Sequence, residues 1–492
     1  MSDERTAILW VGDDPPTDVT VAIRNRGLLA ERPASIDADA LNKARATVFY
    51  ASGASAGPIV AGLKNDAQHC LNHGHRVVVC CQDDAWKALS GISGSDHWEY
   101  VGPSPDCEVL AEIVRGGFTG AGPPATGPKP ESGLKLIAED EVLLRRAFWD
   151  CDIVRLKEQK EGRSAARVFR VHARRENQQP PGYLLPFLVK IDVKKEIEKE
   201  VANYNRFVDG HIPFTQRPNL NPQRTVSGPT RAVMVSDFVD EAQSLVEVCR
   251  RPEARGVLYS LFDDALRSWR RDAFVGSSSP PTLPITTYLE EAVKQKEIRP
   301  AVIREAKSFG CKAQPSDLLA RLHAVSAHPY RIATIHGDLH PGNVMVRRQE
   351  AILIDFASVW ESRPIIADLA CLEVAACFTI APEGTTKNAK EVIRLAFSKW
   401  KSELKALFAC SCLQQVPPLQ EPGPNDWLWN LCRQTRSMAA QAQASNAAYA
   451  CALVIYLMRR ARLSNLREHP AIGGYALWTA EQIVKGLEKK QI

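Results

Sequence analysis

The sequence has little net charge and no long hydrophobic run. Its 492 residues include 62 Lys and Arg against 57 Asp and Glu, a net charge of +5. So small an excess gives no reason to expect a nucleic acid or an anionic membrane as a partner. The longest strongly apolar uncharged segment, Ala447–Met458, is 12 residues long. A membrane-spanning helix needs roughly 20, so we expect neither nucleic acid nor membrane as a partner.

Metal-binding cysteine spacings and a secretory leader are also lacking. The 13 cysteines are scattered, often in apolar segments such as Val77–Cys81, and no Cys-x-x-Cys pair occurs. This placement predicts free, mostly buried thiols in a reducing compartment. The first ten residues, MSDERTAILW, are charged and contain no apolar core before a small-residue cleavage site. We therefore expect no signal peptide and a cytoplasmic location.

The composition is that of a globular protein with several domains, because 45% of the residues are hydrophobic and 24% are charged. One segment, Gly116–Ser132, has nine Gly or Pro among its 17 residues. Such a run is predicted to form an interdomain linker with neither helix nor strand ladder. The sequence predicts four divisions. They are a first domain (1–116), the linker (117–132), a β-rich lobe (133–240) and a helical lobe (241–492).

Before the linker, strand-like and helix-like segments alternate. Val- and Ile-rich strands that alternate with helices indicate a parallel sheet covered on both faces, and about 115 residues suit one doubly wound α/β domain of flavodoxin type. The predicted strands are Thr6–Gly12, Ala46–Ala51, Arg76–Cys81 and His97–Val101, and the predicted helices include Val19–Leu29 and Cys107–Arg115.

This first domain resembles a response-regulator receiver domain in its element order and in Asp13-Asp14 after the first strand. Receivers keep acidic metal ligands there. The phosphoacceptor should follow the central strand, but Ala51-Ser52 stands at that place, so the resemblance implies a degenerate receiver. The alternative is that Asp13-Asp14, with Asp18 nearby, belong to a helix N-terminal cap region.

After the linker the pattern changes. Residues 152–240 are rich in strand signals with one clear helix, whereas the chain from Ala242 onward is mostly helical. A β-rich lobe followed by a helical lobe predicts a two-lobed α+β arrangement with a small-molecule cleft between the lobes.

The most informative segment is Thr334–Val346, TIHGDLHPGNVMV, followed by Ala351–Phe356, AILIDF. The pattern predicts a tight turn at Pro341-Gly342 and then two short antiparallel strands. Asp338, Asn343 and Asp355 would then lie at one rim of a small hairpin. Oxygen-bearing side chains at one rim suit Mg²⁺, and one carboxylate can accept a proton from a substrate hydroxyl.

The sequence of this segment resembles the loop motif of the aminoglycoside phosphotransferase and choline kinase family, which is protein kinase-like. Asn343 follows Asp338 by five residues and Asp355 follows it by 17, as in kinase catalytic loops. The resemblance implies that Asp338 is the catalytic base and that Asn343 and Asp355 hold Mg²⁺. It also implies that His336 braces the loop and that Asp368 hydrogen-bonds the loop backbone.

The upstream lobe should then hold ATP. Lys190 emerges from the apolar strand Phe187–Ile191, where a kinase Lys pairs the α- and β-phosphates; the alternative is a solvent-facing Lys on an edge strand. The following helix, Val193–Val208, places Glu200 beside its apolar face, and the resemblance makes Glu200 the partner of Lys190. Glu196 is the competing choice.

The sequence signal for a turn that covers the nucleotide phosphates is weaker than the signals for Lys190 and Glu200. Gly162 and Ser164 lie in a turn between two predicted strands, Ile153–Glu158 and Ala166–Val171. The family often has a Gly-x-Ser turn there, which implies that this turn contacts phosphate; an ordinary hairpin turn is the alternative. The same resemblance implies that backbone groups near 236–240 bind adenine.

Two functions compete at this point. The first is an ATP- and Mg²⁺-dependent phosphotransferase with a hydroxyl acceptor, a small molecule or a protein, in a bacterial signalling or defence setting. The second is a catalytically weak regulatory or scaffold protein built on a kinase fold. All four expected groups, Lys190, Asp338, Asn343 and Asp355, are present, which favours the enzyme. In either case residues 1–116 could bind a signalling partner.

Overall fold

The structure is a computed structural model, and the chain divides into two compact units. One comprises Met1–Val201 and Asn219–Asp240, the other Ala202–Pro218 and Glu241–Ile492. The structure describes residues 7–33, 36–37, 40–41, 44–51, 70, 76–81, 98–100, 107, 110–111, 114, 130–131, 136–159, 166–176, 182–228, 230–249, 255–274, 282–289, 297–378, 397, 400–415, 417, 426–463 and 470–492.

The first unit begins with a five-stranded parallel sheet in the order β2-β1-β3-β4-β5, which is the order of flavodoxin-like doubly wound sheets. Alternate residues of β1 enter different hydrophobic clusters, Ala7 and Leu9 in one, Ile8 and Trp10 in the other. Both faces are therefore buried, as the sequence predicts for a parallel sheet. The strands are β1 (Ala7–Gly12), β2 (Leu29–Glu31), β3 (Ala44–Tyr50), β4 (Arg76–Cys80) and β5 (Trp98–Tyr100).

The first helix is shorter than predicted. Helix α1 covers Thr17–Asn25, and Gly27 then adopts a left-handed backbone with φ of +73°. This turn lets Leu29–Glu31 form an edge strand beside β1, so the prediction of a helix to Leu29 is wrong.

The alternative of a helix cap region is confirmed only for Asp18, which lies in the first turn of α1, and is wrong for Asp13-Asp14. The residue before α1 is Pro16, and no side chain caps the helix there. Asp14 instead pairs with Arg32 at 2.9 Å, and the Asp13 N–H donates to the carbonyl of Tyr50.

The second part of the first unit is a seven-stranded sheet. Its main order is β11-β12-β10-β8-β7-β6, and β9 pairs with β8. Its apolar cluster includes Phe148, Phe169, Val189 and Val235, and among the described residues none of the parallel sheet belongs to that cluster. The elements are β6 (Pro130–Glu131), α2 (Ala138–Ala147), β7 (Ile153–Glu158), β8 (Arg167–Arg175), β9 (Gly182–Tyr183), β10 (Phe187–Val193), α3 (Lys194–Asn203), β11 (Val226–Ser227) and β12 (Arg231–Asp237).

The predicted linker ends earlier than Ser132. Pro130–Glu131 pair in parallel with β7, so the prediction that Gly116–Ser132 holds no strand ladder is wrong at its end. Proline is tolerated there because Pro130 is the first residue of an edge strand, where no ladder N–H is required. Residues 117–129 lie outside the described part of the chain.

The second unit is mostly helical, and in its described part four antiparallel strand pairings form three small sheets. In the described part of the chain, no helix is both long and apolar enough to cross a membrane. The strands are β13 (Gln243–Ser244), β14 (Thr282–Pro284), β15 (Ala327–Pro329), β16 (Ile332–Ile335), β17 (Val344–Arg347), β18 (Glu350–Leu353) and β19 (Trp360–Pro364). The helices are α4 (Leu245–Cys249), α5 (Arg255–Tyr259), α6 (Arg267–Asp272), α7 (Thr286–Leu289), α8 (Pro300–Ser308), α9 (Pro315–Ala324), α10 (Ile366–Cys377), α11 (Cys410–Leu413), α12 (Asp426–Gln441), α13 (Asn446–Arg462) and α14 (Pro470–Glu488).

All 13 cysteines are free thiols, and most are buried, as their apolar settings predict. Burial raises the pKa of Cys80, Cys151 and Cys451 to about 12. Such thiols are inert packing groups at neutral pH.

Candidate active site

The loop after β16 is shaped by one glycine. Gly337 has φ of +76°, and a Cβ on it would lie 2.1 Å from the carbonyl oxygen of Ser358. Only glycine fits where the backbone approaches this closely with a left-handed conformation. The chain then passes through a single turn, Pro341–Asn343, into β17.

A buried carboxylate holds the start of this loop. Asp368, in the first turn of α10, accepts hydrogen bonds from the backbone N–H groups of His336 at 2.7 Å and Gly337 at 2.9 Å. Asp368 is only 4% exposed. Burial raises the pKa of Asp368, against the lowering effect of His336 and of the two N–H groups. The structure therefore brings Asp368 to the loop backbone that the sequence analysis assigned to it.

His336 joins the loop to the end of the hairpin. Its Nε2 lies 3.1 Å from the carbonyl oxygen of Ile354, so the ring carries its proton on Nε2. The ring is fully buried and packs at 5.7 Å from the ring of Phe356. His336 thus fixes the spacing between the loop and the segment that carries Asp355.

Asp338 is the partly exposed carboxylate of the loop. Arg459, in the last turn of α13, donates from Nη2 to Asp338 Oδ1 at 2.9 Å and from Nη1 to the carbonyl of Gly337 at 3.3 Å. His340 Nε2 lies 3.9 Å from the other oxygen, Oδ2, and 30% of the Asp338 side chain is exposed. The carboxylate is therefore held in one orientation with Oδ2 turned away from the Arg459 bond.

Sequence reasoning did not find Arg459. It lies 121 residues after Asp338, far outside the loop motif. Desolvation opposes its charge, but Asp338 raises the pKa of Arg459 above its usual value. The one sequence signal was an arginine in the last turn of an otherwise apolar helix.

Asn343 and the segment around Asp355 are adjacent. Asn343 is 5% exposed and donates from Nδ2 to the carbonyl of Asp338 at 2.9 Å. The backbone carbonyl of Asn343 accepts a hydrogen bond from the N–H of Ile354 at 3.0 Å, and Val344 pairs with Leu353 in the hairpin. The two predicted strands are therefore present with the expected antiparallel pairing.

Asp355 has a left-handed backbone, with φ of 63°. This conformation is uncommon outside glycine and is enriched at functional sites. It directly follows Ile354, whose N–H donates to the backbone carbonyl of Asn343, so Asp355 lies at the same end of the hairpin as Asn343.

This oxygen pair suits Mg²⁺. Within the described ranges no group of three or more His, Cys, Asp or Glu side chains is arranged to hold a metal ion. Mg²⁺ in nucleotide sites takes only one or two protein oxygens, with waters and phosphates completing the octahedron. Asn343 and Asp355 therefore fit a nucleotide-bound Mg²⁺ better than a protein-only metal site.

Asn203 supports the Asp355 segment from α3. Its Nδ2 donates to the carbonyls of Phe356 at 3.1 Å and Ala357 at 3.2 Å. Tyr204, the next residue, packs edge-on against Phe356 with centroids 5.9 Å apart. Sequence reasoning placed this helix but did not assign these two residues.

Lys190 and Glu200 form a largely buried ion pair in the first unit. Lys190 Nζ lies 2.7 Å from Glu200 Oε2, and the side chains are 13% and 4% exposed. Lys190 lies on β10, which is paired on both sides and is not an edge strand. Glu196, the competing choice, is exposed. Gly162 and Ser164 lie outside the described residues.

A family model described as Ternary complex associated domain 9 matches residues 310–459, a segment that contains the loop and ends at Arg459. No curated protein matches the chain.

Several solved structures of kinase-like phosphotransferases are similar to this chain. Aminoglycoside phosphotransferase APH(3'')-Id from Streptomyces rimosus is 16% identical over 57% of this chain and 92% of its own, with a TM-score of 0.29. A proposed fructosamine-3-kinase from Thermobifida fusca is 16% identical over 67% and 93%, with a TM-score of 0.35. A choline/ethanolamine kinase family protein from Mesorhizobium loti is 14% identical over 68% and 90%, with a TM-score of 0.31.

Proposed function

We propose that the protein is an ATP- and Mg²⁺-dependent phosphotransferase that transfers the γ-phosphoryl group to a hydroxyl acceptor. The observation that carries the proposal is Asp338, a partly exposed carboxylate held rigidly at a loop whose backbone is bonded by Asp368 and Asn343. A positioned carboxylate of this kind is what a general base requires.

The reaction needs only positioning and charge neutralisation from the protein. The acceptor oxygen forms a bond to the γ-phosphorus, the bond from that phosphorus to the bridging oxygen breaks, and ADP leaves with the electron pair. Asp338 takes the acceptor's proton, on Oδ2 because Arg459 bonds Oδ1. When bound at Asn343 and Asp355, Mg²⁺ would neutralise phosphate charge.

In the first unit, Lys190 would bind the α- and β-phosphates, oriented by Glu200. The segment with Gly162 and Ser164, for which the sequence predicts a turn, would cover the phosphates. The flavodoxin-like sheet at the start of the chain would act as a degenerate receiver that binds a signalling partner, consistent with a bacterial signalling or defence role. That role rests on analogy of fold.

The substitution Asp338→Asn tests the proposed phosphotransferase activity. It keeps the size and shape of the side chain but removes the proton acceptor. Turnover of ATP, with water or an added hydroxyl compound as acceptor, should fall by roughly 10²–10⁴-fold. Nucleotide affinity and melting temperature should stay close to those of the wild-type protein. Asp317→Asn, an exposed carboxylate in the first turn of α9, is the matched control.

If Asp338→Asn turns over as fast as the wild type, Asp338 is not the base. If the wild-type protein binds nucleotide but shows no turnover with any acceptor, the fold serves as a scaffold.

A further inference from the structure

Asp355 has a backbone conformation that is unfavourable for a residue with a side chain. Its φ of 63° and ψ of 79° lie in the left-handed region, where the Cβ of an L-residue crowds the following carbonyl oxygen. Such a conformation persists when the surrounding structure fixes it. The contacts of the residues just after Asp355 therefore determine whether it keeps this conformation.

Asn203 makes such a contact within the second unit. Its Nδ2 donates to the carbonyls of Phe356 at 3.1 Å and Ala357 at 3.2 Å, the first two residues after Asp355. The NH₂ group carries two protons, so both hydrogen bonds can form at once. The Phe356 carbonyl also accepts from the N–H of Val359 at 3.3 Å, which closes one helical turn. Asn203 therefore fixes two successive peptide groups of this turn.

A second contact to the same segment is more exposed. Arg206 donates from Nη2 to both carboxylate oxygens of Glu361, at 2.8 and 2.7 Å. The two side chains are 64% and 54% exposed, and an exposed ion pair contributes little because water screens it. Glu361 is also further along the chain from Asp355 than the two carbonyls that Asn203 bonds. Asn203 is therefore the stronger support for the conformation of Asp355.

The conformation of Asp355 matters to a bound metal ion because Mg²⁺ requires near-ideal octahedral geometry. The other proposed ligand, Asn343, is buried and is fixed by its hydrogen bond to the carbonyl of Asp338 at 2.9 Å. Asp355 follows β18 and leads directly into the turn that Asn203 holds. A shift of that turn would move the Asp355 carboxylate relative to Asn343.

We propose that Asn203 is a positioning residue for Asp355: its two hydrogen bonds keep the Asp355 backbone in the conformation in which the carboxylate binds nucleotide-bound Mg²⁺. Asn203 acts through Asp355 and is not itself a ligand. This role deepens the phosphotransferase proposal and rests on it for the function of Asp355. One hydrogen bond favours one state by roughly fivefold, so loss of both should weaken Mg²⁺ binding by about tenfold or more.

The test measures how much Mg²⁺ improves nucleotide affinity. A non-hydrolysable ATP analogue is titrated calorimetrically, with and without Mg²⁺, into the full chain. We expect this Mg²⁺ gain to fall by about tenfold or more in Asn203→Ala, with the affinity without Mg²⁺ unchanged. Asn205→Ala is the matched control, because Asn205 is exposed on the helical turn that follows α3, and it should keep the wild-type gain. Arg206→Gln should keep most of it.

Asn203→Asp separates the lost hydrogen bonds from lost packing. It keeps the size of the side chain, but an ionised carboxylate cannot donate, so the Mg²⁺ gain should fall as in Asn203→Ala. A wild-type gain in either variant would refute the proposal. So would a lower melting temperature with an unchanged gain, since Asn203 would then only stabilise the fold.

Hydrogen exchange of the nucleotide-free protein distinguishes failure of this role from failure of the phosphotransferase. We expect Asn203→Ala to speed amide exchange by about tenfold or more in residues 354–360 and to leave residues 446–462 of α13 unchanged. Unchanged exchange at 354–360 would refute the role of Asn203, even if the wild type gains affinity with Mg²⁺. A wild type without any Mg²⁺ gain would refute the phosphotransferase, and faster exchange there would leave Asn203 as a support of the turn alone.

Discussion

Two glutamates on the same helix, Glu196 and Glu200, show how burial selects one residue for a function. Both lie on α3, but only Glu200 is buried, and it contacts Lys190 at 2.7 Å. The net stability of an ion pair this buried depends on its geometry, because each partner has lost much of its hydration.

We predict that Glu200→Gln lowers kcat/KM for ATP by about tenfold or more, because Lys190 loses the charge that orients it. Glu196→Gln, one turn away and exposed, should leave kcat/KM unchanged. Steady-state kinetics of the two variants provide the measurement, and equal effects would show that Lys190 is oriented by something else.

At this scale the sequence predicted what local patterns can specify. The apolar spacing of α3 identified the side on which Glu200 lies, and the loop motif identified Asp338, Asn343 and Asp355. Arg459 was missed because its contact with Asp338 spans 121 residues. Asn203 was missed because its partners are backbone carbonyls, which no side-chain pattern reveals.

At the scale of elements, an acidic side chain just after α2 forms ion pairs with arginines of the first unit. Asp150, three residues after α2, accepts hydrogen bonds from Arg224 at 2.6 and 2.8 Å and pairs with Arg175. Burial acts to raise the pKa of Asp150, but these arginines outweigh it and hold the pKa at about 2.

This network predicts an acid-sensitive first unit. Because the folded pKa of Asp150 lies below the value of about 3.9 in an unfolded chain, its contribution is complete above pH 4 and is lost as the pH falls toward 2. We expect roughly 1–2 kcal/mol of unfolding free energy to disappear over that window. Denaturant unfolding at pH 5 and pH 2.5 measures it.

Asp150→Asn is the comparison for that measurement. It should already be less stable at pH 5 and should lose less between pH 5 and pH 2.5 than the wild type. An identical loss in both proteins would show that other carboxylates dominate the acid response.

The sequence predicted the strands better than the helices at this scale. Strands β7 and β10 follow from their apolar alternation, whereas α2 was not predicted, although its acidic first turn and basic last turn are typical of a helix. The edge strand β2 was missed since three residues give no periodicity.

At the scale of the whole molecule, the two sheets of the first unit have separate apolar clusters. Separate cores allow independent folding even where both sheets lie in one compact unit. We predict that removal of residues 1–116, which keeps strand β6, leaves a fragment that melts cooperatively and binds nucleotide. Circular dichroism melting and calorimetry test this, and aggregation of the fragment would show that the predicted boundary is wrong.

The sequence could predict this division in outline because the Gly/Pro-rich segment is local. It could not predict where the division ends, since the pairing of Pro130 with Val154 is a tertiary contact. The receiver-like role of the first domain stays a prediction.

The central claim is that the protein binds a nucleotide through Mg²⁺ held by Asn343 and Asp355. Calorimetric titration of ATP with and without Mg²⁺ tests it most directly. We predict weak binding without Mg²⁺, tighter binding with it, and loss of that gain in Asp355→Asn, because one of the two protein oxygens becomes an uncharged amide. Absence of ATP binding under both conditions, or an unchanged Mg²⁺ effect in Asp355→Asn, would contradict the account.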